Sequence, residues 1–317
     1  LSSANQPLFI MDGFEITLER MMDLDDNQIE TITLLKDASA TAMYGTRGAN
    51  GVVVITTKRP EPGRLQLTYR GGVNIEAPDF TSYNLLDARE KLEYEKLAGV
   101  YSIGNVEFDQ KMKDLYNKRM LDVARGVNTY WLKYPVRTGV GHRHSLRLEG
   151  GDEAFRYAAG LSYNHVAGTM KGSDRTTING NVFLSYNYKN LTFQNDLQVS
   201  NNKAKNSPYG TFSDFSQINS YLKPYDDEGN ILKYADNETY ATTKTINPLY
   251  NALLPYKNET KYTSITDNFS IEWRILPELT ARGTFSFTSQ SDRGDIYKCV
   301  KHTDFDSYTG DDYARKG

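Results

Sequence analysis

The chain of 317 residues has one cysteine, Cys299, so no internal disulfide can brace it, and no Cys/His spacing suited to a metal is present. It has no run of about 18 apolar residues and a mean hydropathy of -0.61, which excludes a helical membrane span on length alone. Neither sign of charge dominates. The 37 basic and 40 acidic side chains leave a net charge of -3, which points away from nucleic acid as a partner. None of these absences bears on a transmembrane β-barrel, whose lipid-facing residues alternate with polar ones and never form a hydrophobic run. Residue 1 is Leu, with no basic-then-apolar leader after it, and residues 311–317 read as a solvated loop. Both ends are therefore expected to be internal to a longer protein. What the chain does hold is an unusual pairing of polar and aromatic residues: only 38% are hydrophobic, yet 23 are tyrosines.

The first sixty residues read as a small α/β unit. Leu8-Phe9-Ile10 is a short apolar run ended by Asp12-Gly13, and residues 29–35 alternate as a strand. Asp37 and Ser39 suit helix N-caps, the Ala-rich run 38–44 suits a short helix, and Gly45 stands where a left-handed C-cap is wanted. Gly48, Asn50 and Gly51 follow as a tight turn. The β-branched run Val52-Val53-Val54-Ile55-Thr56-Thr57 predicts a strand buried on both faces, and Pro60 and Pro62 mark a boundary.

From residue 64 onward the period is two. Ile178, Gly180, Val182, Leu184, Tyr186 and Tyr188 oppose Thr177, Asn179, Asn181, Ser185 and Asn187, with Phe183 the exception. Leu191, Phe193, Leu197 and Val199 share a parity; so do Ile265, Phe269, Ile271 and Trp273, and Leu279, Ala281, Phe285 and Phe287. Together with 65–73, 142–149 and 155–165 this predicts about seven strands of about ten residues each. Short turns at 150–154, 189–190 and 276–278 alternate with connections at 76–141, 166–176 and 201–264. Long loops at one end and short turns at the other are the habit of an outer-membrane barrel. Tyr157, Tyr186, Tyr188, Phe193 and Trp273 all have outward parity near a short turn, as an aromatic girdle at a membrane interface would. A soluble sheet with an aromatic core face is the alternative. About seven strands close no wide barrel, so further strands are expected from further sequence.

Residues 29–58, centred on Lys36-Asp37-Ala38-Ser39-Ala40-Thr41-Ala42-Met43-Tyr44-Gly45-Thr46-Arg47-Gly48-Ala49-Asn50-Gly51-Val52-Val53-Val54-Ile55, closely resemble the plug-domain signature of SusC/RagA-type TonB-dependent outer-membrane transporters. The similarity extends through Arg137-Thr138-Gly139, residues 146–151 and residues 157–172. The resemblance implies a mainly β chain: a C-terminal piece of an α/β plug over 1–60, then the first seven or so strands of an antiparallel 22-stranded barrel over 61–317, with extracellular loops at 76–141 and 201–264. It implies Lys36, Asp37, Tyr44, Gly45, Arg47, Gly48, Asn50 and Gly51 as the plug motif, the Gram-negative outer membrane and its lipid as surroundings, and TonB as the source of energy through a segment absent here. It also implies a SusD-like lipoprotein as lid and an oligosaccharide or, alternatively, a peptide as cargo. The family's extension domain, TonB box, early plug and later strands have no counterpart in the chain. A structural or adhesive barrel and a soluble glycan-binding sandwich are the rival readings from other classes.

Candidate sites in the residues themselves are few. No G-x-x-x-x-G-K-[ST] spacing supports phosphate binding at 36–51, so the glycines there read as cap and turn residues. Arg47 could pair with wall carboxylates and hold the plug, or be a solvated turn residue. His142 and His144 share a strand face but have no third ligand nearby in sequence, and residues 226–230 read as a polar turn, not a calcium loop. No nucleophile–base or paired-carboxylate arrangement stands out, so neither an enzyme nor a cofactor is expected. Tyr209, Phe212, Phe215, Tyr221 and Tyr225, with Tyr240 further along among Asn, Ser and Thr, suit stacking on sugar rings or packing on a partner protein; alternatively they anchor the loop to itself. Residues 85–97, after Asn84, predict a charged amphipathic helix that could rest on the lid.

Overall fold

The structure, a computed structural model, describes residues 6–25, 28–36, 42–102, 104–237 and 244–307. The expected caps Asp37 and Ser39, residues 38–41, Tyr240 and the tail 311–317 lie outside the described residues.

Leu8–Met11 (β1) and Phe14–Ile16 (β2) form a hairpin whose turn residues, Asp12 and Gly13, both have positive φ, 51° and 91°, as an Asp-Gly hairpin turn demands. A one-turn helix, Leu18–Met22 (α1), is capped by Thr17. Ile29–Leu35 (β3) and Val52–Thr57 (β4) complete a four-stranded sheet in the order β2-β1-β4-β3, with β1 parallel to β4. The β-branched β4 lies centrally and buries Val52 and Ile55 completely. Between β3 and β4 the described residues Ala42–Gly48 form a 3₁₀ stretch broken at Gly45, while most of the expected helix lies outside the described residues. Gly45 has φ 64° and ψ -153°, a combination open in practice only to glycine, so it kinks the segment and does not act as a left-handed cap.

The remaining strands form one antiparallel sheet: Gly63–Glu76 (β5), Gly139–Gly151 (β6), Phe155–Ala167 (β7), Asp174–Tyr188 (β8), Leu191–Lys205 (β9), Tyr256–Leu276 (β12) and Leu279–Lys298 (β13). Their order follows the sequence, and β5 and β13 are the two open edges. The strands are 13 to 21 residues long, not about ten. Past residues 201, 264 and 288 both faces turn polar, so the period-two signal fades although the ladder of hydrogen bonds continues. The ladder likewise shortens the connection after β7 to residues 168–173.

The two long connections fold on each other. Ala88–Leu97 (α2) starts three residues later than the pattern suggested, because its cap is Asp87, which accepts from the Glu90 amide at 2.8 Å while the Glu90 carboxylate accepts from the Asp87 amide at 3.0 Å. Val106–Ala124 (α3), capped by Asn105, had no counterpart in the sequence reading. The second connection adds Phe212–Ser216 (α4), the short pair Tyr234–Asp236 (β10) and Thr245–Ile246 (β11), and Pro248–Ala252 (α5). Ala88, Leu92, Tyr101, Trp131, Leu132, Phe215, Tyr221, Leu222 and Leu249 make the core of this cap, drawn from both connections. Leu92 is completely buried there. Leu92→Ala should cost the cap about 2–5 kcal/mol, read as faster amide hydrogen exchange in α2 and α3 with β7 to β9 unchanged.

Candidate functional site

The large sheet has two chemically distinct faces, and the small sheet sits against the polar one. On β8 the residues of that face are used in order by the N-terminal unit. Arg175 donates to both carboxylate oxygens of Asp23 at 2.7 Å, and Thr177 donates to the same carboxylate at 3.4 Å. Asn179 donates to the Asp23 carbonyl oxygen and accepts from Arg20 at 3.4 Å; Asn181 accepts from Gln28 at 2.9 Å. Phe183, the one residue that broke the period-two split, is buried beneath the Arg59 guanidinium, 4.5 Å from its ring centre. Neighbouring strands add Gln198, which accepts from Arg20 at 2.6 Å, Ser145, which donates to Asp25, and the Tyr262 hydroxyl, which donates to Asp23. Asp23 is 8% exposed, so these donors and not water satisfy its oxygens.

None of these holding residues stood out in the sequence, and the one that did, Arg47, does something else. Arg47 pairs with Glu15 of β2, inside the N-terminal unit, and both side chains are well exposed. The β1–β2 hairpin brings that carboxylate closer than any on the wall. Of the other motif residues, Tyr44 packs on the Leu8, Ile10 and Val52 core, Gly48 and Gly51 are buried, and Asn50 and Lys36 are exposed. Gly51 has φ 91°, and a Cβ there would stand 3.1 Å from the Leu35 carbonyl oxygen, so the turn admits no side chain. Asp37 lies outside the described residues.

The loop aromatics divide. Phe215 is fully buried and Tyr221 is 5% exposed, so neither can meet a ligand in this structure. Both anchor the cap to itself, because two long connections need a core of their own. Phe212 stacks on Phe80 and meets Tyr83 edge-on, whereas Tyr225 is exposed at a polar turn that Asp226 and Asn230 close. Tyr209 lines a cleft of about 580 Å³ with Tyr256, Asp214, Gln217, Asn251 and His302. Tyr256 has the parity of Tyr262, so this cleft opens on the face that carries the N-terminal unit. The cap's polar centre is Glu95, which accepts from the Tyr101 hydroxyl at 2.7 Å and the Tyr221 hydroxyl at 3.0 Å, while Arg119 bridges Tyr101 and Asp236. Burial and the bond to Glu95 push the Tyr101 phenol up to about 12, and burial raises Tyr221 as well.

The opposite face is apolar. Leu146, Leu161, Gly180, Val199 and Ile265 lie in one ladder row; Tyr188, Leu191, Trp273 and Ala281 lie in another near the short turns. Eight residues separate the rows on β9, a band of about 26 Å along the strand. Tyr157, Tyr186, Tyr188, Phe193 and Trp273 are partly or well exposed at the short-turn end, with Tyr186 stacked on both Tyr188 and Phe193. A second aromatic group, which sequence parity alone did not single out, stands at the other end. Tyr69 hydrogen-bonds His144 at 2.7 Å, His142 stacks on Tyr163, and His165 sits across the ladder from His142. The fold thus supplies a third histidine, but no group of three or more metal-ligating side chains is poised for an ion among the described residues.

No protein-family model matches the chain. Among curated proteins it is 29% identical over 220 residues to the TonB-dependent receptor SusC of Bacteroides thetaiotaomicron, covering 66% of this chain and 20% of that protein. It is 23% identical over 299 residues to the TonB-dependent receptor P39 of Formosa agariphila, covering 92% of this chain and 26% of the relative. Among solved structures, the RagAB peptide importer in its closed-closed state superposes with a TM-score of 0.70 at 20% identity, over 93% of this chain and 36% of that one. The open-open state gives 0.67 at 22% identity. The chain is similar in sequence to SusC-type TonB-dependent receptors and in fold to the RagAB structures. The chain spans about a fifth to a quarter of the length of those two curated relatives. Its fold is mainly β and matches the barrel chain of the solved structures, with the sheet unclosed between β5 and β13.

Three outcomes follow. Asp23→Ala should weaken the hold on the N-terminal unit by about 1–3 kcal/mol, read as roughly 5- to 150-fold faster amide exchange around α1; Arg47→Ala should cost under about 1 kcal/mol. The Tyr101 phenol is raised in the folded cap relative to the ordinary value of 10.0, so the stability it carries is complete below pH 10 and is lost as pH rises toward about 12. Exchange protection of α2, followed across that range, checks the sign.

Proposed function

We propose that the chain is part of a TonB-dependent outer-membrane importer of a nutrient. Residues 1–60 belong to its plug and residues 61–317 supply seven strands of its wall, with the connections at 76–141 and 201–264 outside the cell. The observation that carries this reading is the pair of unlike faces on one sheet. The apolar face exposes Leu67, Val73, Leu161, Phe269, Trp273, Phe285 and Phe287, more contiguous apolar surface than a soluble monomer leaves in water. The polar face holds a small folded unit by hydrogen bonds, an arrangement suited to a plug that must leave.

In this reading Tyr157, Tyr186, Tyr188, Phe193 and Trp273 form the girdle at the periplasmic interface, and Tyr69 and Tyr163 belong to the outer one. The motif from Lys36 to Gly51 shapes the turn that feeds β4. Ligand enters at the loop end under a SusD-like lipoprotein, meeting Tyr209 and the other cleft residues. TonB then draws the plug from the wall, and the bonds to Asp23, Arg20 and Gln28 break before anything passes. The energy comes from the proton gradient and no bond of the cargo is made or broken.

The cargo assigned first is an oligosaccharide. Tyr209 and Tyr256 offer faces for sugar rings, and Asp214, Gln217 and Asn251 offer hydrogen bonds beside them. A peptide is the second reading, favoured by the likeness in fold to structures described as a peptide importer. Deletion of the gene in its native cells should abolish growth on an oligosaccharide too large for porins, and complementation should restore it only while the proton gradient stands. Loss of growth on oligopeptides instead would select the peptide reading. An outer-membrane protein whose deletion alters neither would be a structural or adhesive barrel.

A further inference from the structure

Import makes no use of a row of side chains on the apolar face of the large sheet. In ladder register the row runs Val73, His142, His165, Thr176, Lys203, Lys261, Arg293, one residue from each strand from β5 to β13. Residues directly opposite in an antiparallel ladder share a face, so all seven stand on the side of Leu161, Val199 and Ile265. On β9 the row lies four residues beyond Val199, about 13 Å along the strand. With the strand tilted about 45°, the row stands roughly 40 Å along β9 from Leu191 and so about 28 Å across the membrane, close to the hydrocarbon thickness of about 30 Å at which the headgroup layer begins.

The cations of this region are unequally matched. Lys203 has Glu259 at 3.4 Å, Lys205 has Asp174 at 3.8 Å, and Lys257 pairs with Asp295. Lys261 and Arg293 are exposed and have no carboxylate within ion-pair distance among the described residues, yet they face each other directly across the β12–β13 ladder. Like charges at opposite ladder positions repel, and an anion seated between them turns that cost into two charge-assisted hydrogen bonds. Thr176 and His165, hydrogen-bonded at 3.1 Å, add polar groups in the same row.

We propose that this row seats the phosphate headgroup of an anionic lipid in the leaflet at the long-loop end, with Lys261 and Arg293 gripping the phosphate. Below it, Ile265, Val199 and Ile178 offer an apolar track for the acyl chains. That continuity of charge with apolar surface selects a lipid over free phosphate, which would meet only the charges. The inference rests on the reading of this sheet as a membrane-spanning wall.

The test uses the full-length protein extracted from the outer membrane in mild detergent, washed, and analysed by native mass spectrometry for bound phosphorylated lipid. Wild type should retain such lipid, and K261Q/R293Q should retain about tenfold less, as expected for loss of a charge-assisted contact. Lys257→Gln, on the same face but already paired, should leave retention unchanged. Millimolar inorganic phosphate should not displace the lipid; displacement by phosphate alone, or equal retention by the double variant, would overturn the inference. Outer-membrane fractionation of each variant separates the two levels of failure. A wild-type protein absent from that membrane removes the wall reading itself, whereas an assembled double variant that keeps its lipid removes only this proposal. Should the double variant not assemble, K261Q and R293Q singly carry the same expectation, and unchanged retention in both would count equally against it.

Discussion

The backbone ladder of the large sheet is the constraint on which everything else depends. Once seven strands are hydrogen-bonded in one antiparallel register, every side chain is committed to one of two faces, and a slip of one residue would exchange them all. This is why a chain with so few hydrophobic residues can still present a continuous apolar surface: half of each strand is spared from contributing to it. The same commitment frees the other half to be Ser, Thr, Asn and Gln, which are buried beneath the N-terminal unit at Ser145, Thr177, Asn179, Gln198, Ser200 and Asn202. Polar residues in that setting are stable only because each finds a partner across the interface or along the strand.

That commitment also explains what could be read beforehand. β1, β3, β4 and the seven long strands were legible wherever hydrophobic residues alternated or ran together, and the turns at 189–190 and 277–278 were legible from their place between such runs. The strand ends were not, because past Ser200 and Ser264 both faces become polar while the ladder persists. Phe183 looked like a flaw in the pattern until Arg59 was seen lying over it. Arg47, charged and set within a distinctive motif, was open to two readings, a wall contact or a solvated turn residue, and it is exposed and paired with Glu15. The residues that do the holding, Arg20, Asp23 and Gln28, belong to a stretch with no pattern, and their partners lie about 150 residues or more away in sequence.

The cap obeys different rules. Its two long connections share one hydrophobic core and one carboxylate, Glu95, that gathers two tyrosine hydroxyls from different connections. Aromatics such as Phe215 and Tyr221 therefore serve as structure where composition alone suggested recognition. Composition cannot separate the two uses, because the stacking and hydrogen bonding that suit a sugar also suit another loop. α3 escaped notice for a related reason: only Leu115 of its residues is buried, so its sequence carries little periodic signal.

The order of contacts along β8 has a mechanical meaning. Arg175, Thr177, Asn179, Asn181 and Phe183 meet the N-terminal unit at successive levels, each about 6.6 Å from the next along the strand. A force applied at one end of the unit loads the nearest contact first and passes to the next only when that one parts. Peeling of this kind needs the strength of one bond at a time, whereas a unit held by the same bonds at a single level would have to rupture all of them together. The wall can thus hold its occupant firmly against thermal motion and still release it to a modest, directed tension.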